Sequence, residues 1–276
     1  MAFIDEQLIE FKKRIEEAIT NGGSKGKESI IRSSGLINLI HDAVKYELIN
    51  SGVNPDFVYP RLGETRPEIK LAGFLKQKNQ DVCVVPGHMD TTPQMIDWGP
   101  MAFQKKMDTY GYEYSTNTLV INVRSQMSSI AKNSDTLFER TFAEAQNLHR
   151  RYPEIVLGEV YLIPTHEYND AQVAEHRVAF SERAIDIEKY ISFFSSINNR
   201  QLADNNETDY MYERCALLIV DFNLRRPKLY RNSQELVADG LISSSFGIEY
   251  SSLGFDEFAS DILNIYASRF DINNLR

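Results

Sequence analysis

The sequence has only two cysteines, Cys83 and Cys215, and each lies in an apolar segment. They lack the short spacing that a zinc site or a disulfide framework requires. Apolar runs of about 18 residues, the length that a membrane-spanning helix needs, are also missing. The amino-terminal stretch is charged and amphipathic, without the apolar core of a signal peptide. We therefore expect a protein of the reducing cytoplasm that neither enters a membrane nor depends on disulfides.

Several motifs that define large enzyme classes are absent from the sequence. It contains no phosphate-binding loop and no GxGxxG, GxSxG or HExxH motif. His88 and Asp90 share a loop-like stretch, but a surface loop explains this pair better than a metal site. The net charge is −9, from 30 basic and 39 acidic residues, which argues against a general nucleic-acid coat protein. A local basic groove on an acidic body remains compatible with this charge.

The composition is that of an ordinary globular protein, with 42% hydrophobic and 25% charged residues over 276 positions. Helical spacing of apolar residues predicts helices, and short apolar runs predict strands. The predicted helices cover residues 5–19, 34–50, 134–151, 182–196, 209–215 and 255–270. The predicted strands cover residues 71–75, 81–85, 119–123, 155–163 and 216–223, and the alternating tyrosines at 110–114 are predicted to form a hairpin with strand 119–123.

This order of elements predicts an α/β fold in which a mixed central sheet is flanked by helices. We expect one domain over residues 1–276, with an N-terminal helical part at 1–60. Residues 22–27 are predicted to be a loop, and strands 71–75 and 81–85 are predicted to pair through a polar turn. Residues 87–108 contain Gly, Pro and Met without clear periodicity, which predicts an insertion loop.

Three polar residues lie at the ends of two predicted strands. Asp81 begins one strand, and Asn122 and Arg124 alternate near the end of the other, so the last two share a face. In a metal-dependent nuclease, two acids at such positions share a divalent ion, and a cation two residues on orients the attacking water. Asn122 supplies only a neutral oxygen, and Arg124 does not readily exchange a proton. Alternatively, Asp81 caps a turn and Asn122 satisfies a backbone group.

The segments around these residues resemble XhoI-type restriction endonucleases. Residues 71–85 resemble the strand pair that carries the catalytic Asp, and residues 122–126 stand where that family has acid-x-Lys followed by Ser-Gln. Residues 158–163 resemble the next core strand, and scattered short matches span about residues 34–222. The sequence departs from the family pattern at the motif itself, where Asn-x-Arg replaces acid-x-Lys.

The resemblance implies a PD-(D/E)XK nuclease-like core and Mg²⁺-dependent, sequence-specific hydrolysis of duplex DNA that leaves a 5′-phosphate. It also implies a homodimer. The metal ligands would be Asp81 and Asn122, with Glu139 of the following helix as a replacement acid. Arg124 would hold the remaining catalytic position, and Gln126 would position water or contact a phosphate.

A basic segment follows the predicted strand 216–223. Its four cations, together with a tyrosine, could contact DNA phosphates, although a solvated loop explains them equally well. These cations are Arg225, Arg226, Lys228 and Arg231. Lys105 and Lys106 are a weaker candidate. Two further functions stay open: a catalytically degenerate DNA-binding protein on the same fold, acting as a partner subunit or regulator, and a metabolic α/β enzyme with an unrecognised site.

Overall fold

The computed structural model describes residues 1–202 and 206–276. Within these ranges the helices are α1 (Phe3–Arg32), α2 (Ser34–Asn50), α3 (Pro100–Phe103), α4 (Tyr112–Thr116), α5 (Ile130–His149), α6 (Asp170–Ala174), α7 (Ile187–Ser196), α8 (Ser233–Ala238) and α9 (Phe258–Arg269). The strands are β1 (Val58–Tyr59), β2 (Lys70–Ala72), β3 (Gln77–Asn79), β4 (Val82–Val84), β5 (Gln94–Met95), β6 (Met107–Asp108), β7 (Leu119–Ser125), β8 (Leu157–Pro164), β9 (Arg214–Asp221) and β10 (Lys228–Leu229).

A six-stranded mixed sheet forms the centre of the protein, in the order β1-β4-β7-β8-β9-β10. β1, β4 and β7 are antiparallel neighbours, with Val82 opposite Ile121. α5 then crosses over to β8, which is parallel to β7, and β9 continues in the same direction. β10 closes the other edge antiparallel to β9. The predicted α/β fold with a mixed sheet flanked by helices is therefore confirmed.

Helices cover both faces of the sheet. α1, α2 and α9 pack on one face, where Ile121 and Val160 belong to the buried core. α5 and α7 pack on the other face, against Val120 and Leu157. Because side chains alternate along a strand, the even-numbered positions of β7 and the odd-numbered positions of β8 all point toward α5. This parity decides which polar residues meet at the candidate site.

The helix predicted at 34–50 is confirmed by α2, which ends before Gly52 at φ +99°. The loop predicted at 22–27 is wrong for most of its length, because the chain is helical on both sides of Gly23. Gly23 itself, at φ +54° and ψ −138°, is not helical, so α1 consists of two helical segments joined at a kink there. Beyond the kink, the buried Lys27 extends its Nζ to within 2.5 Å of Oδ1 of Asp170 in α6. This long-range ion pair, which local spacing does not reveal, helps to hold the segment in place.

The segment 70–116 differs most from its prediction. β2 pairs with β3, whereas β4 lies between β1 and β7, so strands 71–75 and 81–85 do not form a hairpin. Residues 112–114 of the strand predicted at 110–114 lie instead in α4, and the rings of Tyr110 and Tyr114 stack with centroids 5.4 Å apart. Their four-residue separation fits a helical turn as well as a strand face. The prediction that residues 87–108 form an insertion loop is wrong in part, because the segment contains β5, α3 and β6.

The second half of the chain follows its prediction more closely. β8 and α9 confirm the strand at 155–163 and the helix at 255–270, with slightly different ends. α5 begins at Ile130, so Ser134 lies inside the helix rather than at its cap. The helix predicted at 209–215 is wrong, because Arg214 already begins β9. Residues 209–213 form turns and a bend that lead into β9, and Glu213 there belongs to a buried ion-pair group.

We expect that Gly158→Ala destabilises the protein by about 1–3 kcal/mol, the usual range for overpacking. A Cβ at this position of β8 would lie 2.7 Å from Cδ1 of Ile262 and 2.8 Å from Cζ of Phe258, both in α9. Urea denaturation of the two proteins measures the difference. Gly247→Ala is the control, because a Cβ there meets nothing within 4 Å. Equal losses in both variants would contradict the close contact of β8 with α9.

Candidate active site and basic groove

Polar side chains interrupt the apolar face of the sheet beneath α5. Asn122 and Arg124 lie on β7, and Glu159 lies on β8, where it pairs in register with Asn122. Asn122 is 1% exposed and Glu159 is fully buried. Burial of an ionisable carboxyl and an amide is costly unless each finds a partner. These residues therefore need a reason for their position other than packing.

The guanidinium of Arg124 occupies the centre of this group. Its Nη1 lies 3.2 Å from Oε1 of Glu159 and donates a hydrogen bond of 2.9 Å to Oγ1 of Thr141. Its Nη2 donates to Oε2 of Glu144. Burial alone would lower the pKa of Arg124, but the surrounding negative groups, Glu159 first among them, raise it above its usual value. Arg124 is therefore a fixed cation and does not act as an acid or a base.

Three buried oxygens in this group have no hydrogen-bond partner among the described residues. They are Oδ1 of Asn122 and both carboxylate oxygens of Glu159. The 3.2 Å contact of Glu159 with Arg124 is an ion pair without the alignment of a hydrogen bond. Burial raises the pKa of Glu159 to about 7, although Arg124 opposes this shift. Unsatisfied buried acceptors in a native fold frequently mark a place for a water or a cation.

Asp81 lies at the edge of the same group. Its Oδ2 accepts a hydrogen bond of 3.0 Å from the backbone N–H of Val123, which ties the residue before β4 to β7. Its negative charge also contributes to the raised pKa of Glu159. The structure thus brings Asp81, Asn122 and Arg124 together as the sequence predicted, although the hydrogen bond to Val123 also gives Asp81 a structural role.

The structure does not bring Glu139 into this group. Glu139 is exposed, and it lies two residues from the buried Leu137 and Thr141, on the opposite side of α5. The acid of α5 that joins the group is Glu144, which contacts Arg124 and accepts a hydrogen bond of 2.6 Å from Nζ of Lys78. Burial would raise the pKa of Glu144, but these two cations outweigh it and hold the pKa below its usual value.

A groove of about 640 Å³ opens where β7 ends, between the start of α2 and the first turns of α5. Arg124 lies in its wall, whereas Asp81, Asn122 and Glu159 are not among its lining residues. Its polar lining includes Arg32, Ser33, Ser34, Gln126, Asn133 and Arg140, and none of the lining residues is acidic. A groove lined by cations and uncharged polar groups attracts anions.

The residues predicted to contact DNA have different surroundings. Gln126 lines the groove, and its Oε1 accepts a hydrogen bond of 2.7 Å from the hydroxyl of Tyr161. Arg225 and Arg226 are exposed beyond β9. The other two cations are paired within the chain: Lys228 lies 2.6 Å from Asp239, and Arg231 pairs with Asp256 and with Asp5. The basic segment therefore offers fewer free cations than its sequence predicted.

Oxygen donors suit Mg²⁺, which prefers carboxylate, amide and water oxygens. The unpartnered oxygens of Asn122 and Glu159, beside Asp81, fit that preference. Arg124 contacts the same carboxylate, so a cation and this ion pair compete for Glu159. Within residues 1–202 and 206–276, no group of three or more His, Cys, Asp and Glu side chains could hold a metal ion. A cation here would thus depend on the amide oxygen of Asn122.

The sequence predicted three members of the group but missed Glu159 and Glu144 as members. A signal for Glu159 exists, because it is the single charged residue of β8, whose eight residues are all buried. A carboxyl in such a strand is either paired or functional. Glu144 carries no such signal, since acidic residues are common on exposed helix faces. Arg32 and Arg140 are likewise ordinary helix residues until the fold places them on one groove.

In the described residues, no helix is both long enough and apolar enough to cross a membrane. Comparison of the chain with protein-family models, with curated proteins and with solved structures found no match.

Proposed function

We propose that this protein is a metal-dependent endonuclease that hydrolyses phosphodiester bonds in duplex DNA. The observation that carries the proposal is the set of unpartnered buried oxygens on Asn122 and Glu159, which are register partners on adjacent strands beside Asp81. The element order supports it too. β4, β7, α5 and β8 occur along the chain in the order strand, motif strand, helix and core strand, as in the resemblance to XhoI-type endonucleases, although β5, α3, β6 and α4 lie between β4 and β7.

In this proposal, Asp81, Asn122 and Glu159 hold the cation. Glu159 supplies the second carboxylate that Asn122 lacks, so the acid of the motif has moved from β7 to its neighbour β8. When bound, Mg²⁺ would lower the pKa of a water molecule and stabilise negative charge on the phosphate. Arg124 keeps a positive charge at the groove wall, where it can hold a phosphate oxygen but cannot take up a proton.

The groove supplies the place for the DNA backbone. Arg32, Arg124 and Arg140 surround it without acidic neighbours in its lining. Arginine binds phosphate oxygens through several parallel N–H donors, and such contacts fix the register of a protein on its duplex. Sequence-specific cleavage and a homodimer remain predictions from the resemblance.

A second function has one specific observation in its favour. Arg124 already contacts Glu144 and Glu159, and Lys78 pairs with Glu144, so cations of the chain itself already offset much of the negative charge of this group. A protein in which these ion pairs persist would bind DNA in the groove without cutting it. Divalent-cation binding separates the two functions, because only the endonuclease requires it.

We expect that the purified protein cuts plasmid and phage DNA into discrete fragments in Mg²⁺ or Mn²⁺ and does not cut in EDTA. Gel electrophoresis of the products measures this, with isothermal calorimetry of Mg²⁺ binding in parallel. Salt-sensitive DNA binding without cutting or Mg²⁺ binding would favour the DNA-binding protein. A protein that neither cuts nor binds DNA would contradict both functions. The metabolic α/β enzyme with an unrecognised site would then be left.

A further inference from the structure

The insertion at residues 87–108 exposes several large apolar side chains on one short hairpin. Phe103, at the end of α3, is 92% exposed, and Met95, Trp98 and Met107 are exposed as well. A group of exposed large apolar residues on a polar protein marks an interaction surface more often than a single exposed residue does. We call the segment 94–108 the insertion hairpin.

The insertion hairpin is firmly held on the body of the protein. β5 and β6 pair with Gln94 opposite Asp108. Asp108 is fully buried, accepts a hydrogen bond of 2.6 Å from the hydroxyl of Tyr152, and lies 3.3 Å from Nη2 of Arg151. Ile96 and Met101 form a small core with Ala72 of β2. The insertion hairpin therefore buries Ile96 and Met101 against the body of the protein. A second set of apolar residues, named above, faces solvent.

The exposed tip of the insertion hairpin, residues 98–103, has a defined backbone conformation. Gly99 adopts φ +73° directly before α3, and its ideal Cβ would lie 2.9 Å from the ring of Phe74. The rings of Phe74 and Trp98 are 5.4 Å apart. A side chain at position 99 is thus disfavoured both by backbone conformation and by space. Trp98 and Phe103 are presented on a backbone whose conformation is set.

The charges around the tip are mostly positive, although the whole chain carries −9. Lys105 and Lys106 lie two and three residues after Phe103 and are exposed, and Lys76 of the turn before β3 is exposed too. Asp97 is the exposed acid of the hairpin, since Asp108 is buried. A second copy of this chain is a poor occupant, because a two-fold interface brings each basic patch into the same contact. A polyanion that also presents planar apolar groups complements both the positive charge and the exposed apolar side chains of the insertion hairpin.

We propose that the insertion hairpin docks on duplex DNA, with Trp98 and Phe103 packed against base pairs at the minor groove and Lys105 and Lys106 on the adjacent phosphates. Apolar wedges beside basic residues are a common way to bind and kink DNA there. The proposal rests on the proposed function only in that both take DNA as partner. It assigns a contact surface separate from the groove beside Arg124.

Trp98 is the only tryptophan of the chain, which makes it a direct reporter. A fluorescein-labelled duplex of mixed sequence is titrated with the full-length protein in EDTA and low salt, and anisotropy measures binding. In a second titration the unlabelled duplex is added to the protein, and tryptophan emission is recorded. We expect the emission to fall in step with binding, because bases that contact the indole ring quench it.

The variant Phe103→Ser is expected to bind DNA about tenfold more weakly, in line with the loss of one stacking contact, with an unchanged melting temperature. Lys105→Gln combined with Lys106→Gln is expected to reduce the slope of log K against log salt by about two. Leu62→Ser is the matched control, because Leu62 is an exposed apolar residue outside the hairpin.

The outcomes of these measurements separate the docking surface from the endonuclease proposal. Unchanged Trp98 emission at saturating DNA, with normal binding by Phe103→Ser, would overturn the docking surface and leave the endonuclease proposal standing. A concentration-dependent dimer that Phe103→Ser abolishes, without loss of DNA affinity, would assign the surface to a second copy instead. No rise in anisotropy with the wild-type protein would overturn the docking surface, whereas the endonuclease proposal stands or falls on cleavage in Mg²⁺ or Mn²⁺.

Discussion

In the proposed endonuclease, replacement of Asp81 by Asn is expected to slow DNA cleavage about a thousandfold, since stabilisation by a bound cation would be worth several kcal/mol. Asn keeps an oxygen that can accept the hydrogen bond from the N–H of Val123, which in the wild type is 3.0 Å long. The link between β4 and β7 is therefore preserved while one negative charge at the candidate cation site is lost. Initial rates of plasmid cleavage at saturating Mg²⁺ measure the effect, and the melting temperature reports on the fold.

Glu139→Gln is the matched control for Asp81→Asn. It removes the same charge from an exposed position on the far side of α5, so cleavage should proceed at the wild-type rate. A large loss of rate in Glu139→Gln would return that residue to the site and contradict the arrangement around Glu159. Wild-type cleavage by Asp81→Asn would remove Asp81 from the catalytic machinery.

Glu213→Gln is expected to lower the free energy of unfolding by about 3–5 kcal/mol, the range for breaking a buried ion pair. Glu213 is 1% exposed, and its carboxylate contacts three basic side chains. Nε2 of His149 lies 3.2 Å away, Nη1 of Arg200 3.0 Å and Nη1 of Arg269 2.9 Å. The neutral amide would remove the counter-charge beside Arg269 and one of the two carboxylates that pair with Arg200, which would keep Asp209. Urea denaturation at neutral pH measures the loss.

The same residue should govern part of the acid sensitivity of the fold. Burial would raise the pKa of Glu213, but His149 and the two arginines outweigh it and lower the pKa from 4.5 to about 2. Because the folded pKa is depressed, the stabilisation is fully present above pH 4.5 and is lost as the pH falls toward 2. The stabilisation that the ionised Glu213 contributes amounts to about 3 kcal/mol when it is fully present. In Glu213→Gln the loss of stability over this pH range should be smaller by about that amount. Identical pH profiles would show that Glu213 does not carry this sensitivity.

Local sequence patterns predicted the elements that are long and strongly periodic. α2, β8 and α9 were found because each has a clear apolar period or an unbroken apolar run. Short elements were missed where one pattern fits two structures. The tyrosines of 110–114 fit a strand by alternation and a helix by four-residue spacing. In the folded protein, Tyr112 and Tyr114 lie in the helix α4. Residues 209–213 fit a helical pattern, but in the folded protein they form turns and a bend before β9, where Glu213 pairs with the distant Arg200.

The sequence by itself determined that Asn122 and Arg124 share one face of a strand, because side chains alternate with a period of two in any strand. It also determined the mixed α/β class, since helical and strand patterns follow one another along the chain. Only the tertiary structure decided what that face meets. Parallel pairing through the α5 crossover places Glu159 beside Asn122, and the rotation of α5 selects Glu144 over Glu139. Periodicity fixes the direction of a side chain, whereas its partners depend on which distant segment packs against it.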